Sequence, residues 1–159
     1  MKRANILRAA VIAAATASAT ATATAVAGAQ AATPSAHASR VAKVELRHTH
    51  IGTILTSSSG LTLYEFTRDH GANSCVKIAT CSGSWPALQT TARPVAGPGV
   101  HSSMLSTTAL PGGKKQVTYA GHPLYLYDGD TGPAETSYVG ERAFGGDWDA
   151  ITASGHAIK

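Results

Sequence analysis

Few residues in this 159-residue chain have the types and spacing that do chemistry. His48-Thr49-His50 sets two imidazoles two positions apart, so on a strand both project from one face. That spacing occurs in copper and zinc sites, and His48 and His50 are the candidate metal ligands. His70 follows Asp69, and His122 sits in a turn between two strand-like runs. The two methionines, Met1 and Met104, are too few for a methionine-rich copper site. Covalent haem attachment would need Cys-x-x-Cys-His, which the sequence lacks. Asp128 and Asp130, and Asp147 and Asp149, are spaced to share a strand face, but Asp128-Gly129 reads as a turn with its acids in solvent. No Gly-x-Ser-x-Gly elbow occurs among the many serines. Cys75 and Cys81 are the only cysteines, a close pair expected to be a disulfide in an exported chain. A loop that short contributes roughly 2 to 3 kcal/mol in the chain-entropy account. No cofactor is expected, nor an enzymatic role.

Export is expected from the first thirty residues. Lys2, Arg3 and Arg8 precede a run of Ala, Thr, Val and Ser, and Ala27-Gly28-Ala29 fits a small-x-small cleavage site. Residues 1–29 therefore read as a signal peptide rather than a membrane span, since Ala and Thr are poorly lipophilic. Removing them lowers the formal charge from +4 to +1. So small a charge gives no electrostatic case for nucleic acid or anionic lipid as partner. With no cysteine before Cys75, free secretion without a membrane span is expected, not lipid anchoring. Residues 30–43 are small and polar and read as a disordered linker.

From Val44 to His156 the texture is that of an all-β domain, with short apolar runs broken by Gly, Ser, Asp and Pro. "GTILTSSSGLTLYEF" reads strand, turn, strand, and so does "KQVTYAGHPLYLYDGD". "WDAITASG" reads as a final strand, while "HSSMLSTTALPGG" fits either a helical turn or a loop. No stretch holds a helical period for ten residues.

The elements repeat. Leu63-Tyr64-x-Phe66-x-x-Asp69 returns 61 positions later as Leu124-Tyr125-x-Tyr127-x-x-Asp130. Gly60 falls on Gly121, and Gly83-Ser84-Trp85-Pro86-Ala87-Leu88 falls on Gly146-Asp147-Trp148-Asp149-Ala150-Ile151 at an offset of 63. Two tandem repeats, about 51–95 and 112–155, are expected to pack as a small sandwich or barrel of short antiparallel strands. Tyr64 and Phe66 share a strand face, as do Tyr125 and Tyr127, so each repeat supplies an aromatic strand and one Trp to a common core. Asp69 and Asp130 stand where each strand should end, suited to accept backbone N–H groups of the next turn. Tyr119 and Tyr138, outside the repeated phrase, are left freer to reach the surface.

At these residues the chain resembles a bacterial family of secreted repeats, often lipoproteins, marked by a Tyr-x-aromatic-x-x-Asp motif. "GLTLYEF", "CSGSWPAL", "QVTYAGHPLYLY" and "FGGDWDAI" carry the resemblance, over roughly Ile51 to Gly155. Members tend to carry Gly-Gln-Gly after the second Asp, where this chain has Tyr138-Val139-Gly140-Glu141-Arg142. The family has no settled biochemistry. The resemblance implies an exported envelope protein, so the expected role is a non-enzymatic binding or structural module for an unknown envelope or extracellular macromolecule. A metal- or haem-linked redox role is the alternative.

Overall fold

The computed structural model describes residues 41–70 and 72–159. The expected signal peptide and most of the expected linker lie outside the described residues. The first half runs β1 (Lys43–Thr49), β2 (Gly52–Ser57), β3 (Tyr64–Phe66), a 3-10 turn (Cys75–Lys77), α1 (Ala79–Ser84), β4 (Gln89–Thr90) and β5 (Val95–Ala96). The second runs β6 (Leu105–Ala109), a 3-10 turn (Pro111–Gly113), β7 (Lys115–Tyr119), β8 (His122–Pro123), β9 (Glu141–Ala143), β10 (Gly146–Ile151) and β11 (Ala157–Ile158). The fold is all-β with one short α-helix among the described residues, in three small sheets and no closed barrel.

Each half opens with a hairpin, β1–β2 in the first and β6–β7 in the second. β6 settles the ambiguous stretch after His101. Its Ser106, Thr107 and Thr108 pair with Thr118, Val117 and Gln116, and two of those three are β-branched residues that suit a pleated strand. The β7–β8 turn is Ala120-Gly121, both at positive φ, the geometry a two-residue hairpin needs. α1 is too short for periodicity to reveal, and the cysteine pair ties it to the preceding 3-10 turn. β11 folds back onto β10 beyond the strand expected to be last.

Strand alternation divides the interior in two. Leu63 and Leu124 join Val44, Leu55, Val117 and Ile151 in an aliphatic core, while Tyr64 and Tyr125 face the other way. There they meet Phe66, Trp85, Trp148 and the two cysteines in an aromatic core.

The architecture is consistent with the expected sandwich, and its halves interlock through strand pairing. β3 of the first half pairs with β10 of the second. In return, the Leu124–Asp128 stretch of the second half bonds to the first half's Trp-bearing stretch. Leu126 N–H donates to the Pro86 carbonyl and Asp128 N–H to the Ser84 carbonyl. At the centre Tyr64 and Tyr125 exchange both backbone hydrogen bonds, at 3.0 and 2.9 Å.

Candidate functional site

The motif residues converge on that centre. Trp85 and Trp148 stack in parallel with ring centroids 3.7 Å apart. Tyr127 stacks on the outer face of Trp85 at 4.5 Å and Phe66 on that of Trp148 at 4.3 Å, giving a four-ring column. Tyr64 meets Trp85 edge-on, and Tyr125 meets Trp148 edge-on. Each of these contacts has a counterpart with the halves exchanged, in the offset-stacked and T-shaped geometries that aromatic quadrupoles favour.

The acids of the motif complete the exchange. Tyr64 donates its hydroxyl hydrogen bond to Asp130 Oδ2 at 3.1 Å, and Tyr125 donates to Asp69 Oδ2 at 2.7 Å. Each half's tyrosine is held by the other half's aspartate. Burial first, and then the neighbouring carboxylate, pushes both phenols well above the ordinary tyrosine range. They are fixed donors at physiological pH. Burial, aided by the charge of Glu135, pushes the Asp130 carboxyl up to about 6 despite the Tyr64 bond that opposes it. Asp69 also accepts from the Ser74 backbone N–H at 2.7 Å, which closes its turn as the motif suggested. Asp130 takes its side-chain bonds from Tyr64 across the seam instead of from a following turn.

Several expected residues sit elsewhere. Asp130 and Asp149 are buried rather than solvated, because the interlocked strands cover them, while Asp128 is exposed. Tyr119 is wholly buried, not at the surface. Its hydroxyl donates to the Ala153 carbonyl at 2.6 Å and accepts the His101 N–H, tying β7 to the two flanking loops. Tyr138 is half-buried against Trp85 and Tyr127.

His48 lies exposed on β1 with Nδ1 2.7 Å from the Thr53 hydroxyl. His50 is exposed in the turn beyond the strand, so the two imidazoles are not neighbours on one strand face. Among the described residues no three His, Cys, Asp or Glu side chains gather into a cluster able to hold a metal ion. Cys75 and Cys81 form a disulfide, with Cα atoms 5.4 Å apart, in the wall of the aromatic core. A shallow groove beside β4 is lined by Val76, Pro86, Leu110, Pro111, Gln89 and Lys114.

Sequence reasoning passed over Glu65, which is buried opposite Asp149 on the adjacent strand with His122 beside it. A charged residue at a position where its repeat counterpart, Leu126, is apolar was the available signal.

No curated protein and no solved structure matches the chain. No helix among the described residues is long and apolar enough to cross a membrane. Residues 106–152, from β6 through the end of β10, match the model of a family described as a secreted repeat of unknown function, the family that the sequence resembles and one that agrees with an extracellular location.

Proposed function

We propose that this secreted protein is a non-enzymatic module that acts as a rigid binding or structural unit toward an envelope or extracellular macromolecule. The observation that carries this reading is the inward direction of the motif. Its tyrosines, aspartates and tryptophans bond to each other across the seam, so the repeated phrase builds a stiff frame. Contact with a partner then falls to surface features such as the groove beside β4, whose lining mixes Lys114, Gln89 and Ser82 with apolar residues.

Native mass spectrometry of the protein from an exporting host, against the same sample denatured, tests the reading. Equal masses are expected. A mass excess that disappears on denaturation would overturn it in favour of a metal- or cofactor-bearing protein, and His48 and His50 would be the first positions to substitute.

A further inference from the structure

Exchange of the halves maps the residues of the aromatic column onto one another, but at the β3–β10 pairing it sets charged residues against apolar ones. Glu65 and Asp149 are direct partners in the β3–β10 register, so their side chains leave the same face of two adjacent strands. Opposed residues in an antiparallel pair have Cβ atoms about 5 Å apart, close enough for the charge of one carboxyl to act on the other. Asp149 is 1% exposed and Glu65 6%. Neither oxygen of Asp149 has a hydrogen-bond partner among the described residues. His122 Nδ1 lies against Glu65 Oε2, and the imidazole is 42% exposed, which opens the group to solvent.

The exchange-related positions are Leu126 for Glu65, Pro86 for Asp149 and Leu61 for His122. Leu126 and Leu61 belong to the aliphatic core. The same joint is therefore built once from apolar residues and once from two buried carboxyls and a histidine. The fold does not need the charges. A buried carboxylate without a partner costs stability, which an apolar residue there does not.

We propose that Glu65, His122 and Asp149 form a proton-binding site that locks β3 of the first half onto β8 and β10 of the second when loaded and loosens that seam when emptied. With one of the two carboxyls protonated the pair carries a single negative charge, beside the His122 imidazole. Once the proton leaves, two carboxylates face each other across adjacent strands, and like charges so placed repel. The other charged groups near the pair act in both directions. Asp69 adds negative potential at Glu65, Asp147 adds it at Asp149, and the exposed Lys159 opposes both. Burial dominates, and both carboxyls are held above the ordinary carboxylate range. The stabilising contribution is thus complete in acid, below the unfolded carboxyl values, and is lost as pH rises through the folded ones. The lock is closed in mildly acidic surroundings.

A carboxyl-resolved NMR titration of the whole exported protein tests this directly. Both Glu65 and Asp149 should titrate above free Glu and Asp, and Glu65 should titrate at lower pH in Asp149→Asn, where the facing charge is gone. The thermal midpoint of the wild type should fall between about pH 4 and pH 8, and Asp149→Asn should flatten that fall. Ordinary carboxylate titration of both groups in the folded wild type would overturn the proposal without recourse to any variant. So would an Asp149→Asn profile parallel to the wild type. Asp130→Asn is the control, since its own contribution should vanish while the Glu65 and Asp149 titrations stay.

Discussion

Asp69 and Asp130 occupy the same place in the two halves, each receiving a tyrosine hydroxyl from the opposite half. Their surroundings differ. Asp69 closes a turn onto Ser74 that leads into the disulfide-pinned helix, so it has backbone and side-chain donors besides Tyr125. Asp130 leads into a segment with no such pin, and Glu135 there adds a second negative charge. Duplicated residues therefore reproduce the central joint, while the loops that follow decide how well each carboxylate is solvated by the protein. The first half's carboxylate has more donors, and the second half's carboxyl is pushed up by burial and Glu135.

The largest effect should come from the feature that the halves share most fully. Trp85→Ala and Trp148→Ala should each cost about 3 to 5 kcal/mol in urea unfolding. A near-neutral result for either would break the equivalence of the two halves. Reducing the disulfide, which only the first half has, should cost roughly 2 to 3 kcal/mol. Amide exchange should then rise across residues 72–84 and not across 131–140. The oxidised protein, once denatured, should show no free thiol.

Finer distinctions come from the hydroxyls. Tyr125→Phe removes a 2.7 Å bond to a carboxylate and should cost about 1.5 to 3 kcal/mol in the same unfolding measurement. Tyr64→Phe removes a longer bond and should cost less near neutrality. It should also move Asp130 further upward, because the Tyr64 bond is what holds that carboxyl down. Equal costs and unchanged titration would erase the difference between the joints.

The smallest effect is a pH trend. The folded Asp130 value of about 6 lies above the ordinary aspartate value of 3.8, so its contribution is present below that ordinary value and lost as pH rises through 6. Asp130→Asn should gain on the wild type as pH rises across that window, read from thermal midpoints. An unchanging offset between the two proteins would place the titrating group elsewhere.

Period-two alternation and the repeated phrase were enough to assign Leu63 and Leu124 to one side, and Tyr64 and Tyr125 to the other. Strand geometry leaves a tyrosine beside a leucine no other choice. The close cysteines were legible for a similar reason, since six positions of chain keep them within bonding reach. β6 was not legible, because Ser and Thr suit a turn as well as a strand until β7 supplies the hydrogen bonds. Tyr119 was misplaced because it lies outside the phrase, and nothing local says that the carbonyl of Ala153 waits 34 positions away. The expected histidine pair failed on one residue of strand length: β1 ends at Thr49 and carries His50 into the turn.

By itself the sequence determined the strand texture, the two aromatic phrases and the residues able to meet in a core, because side-chain alternation and loop closure are local. Only the tertiary structure decided which half each phrase would pair with. Nothing in "LTLYEF" distinguishes its own tryptophan from the other half's. The crossed arrangement that joins β3 to β10 sets Tyr64 on Asp130 and Tyr125 on Asp69. It also buries Glu65 against Asp149, a meeting of two acids 84 positions apart that no local pattern could announce.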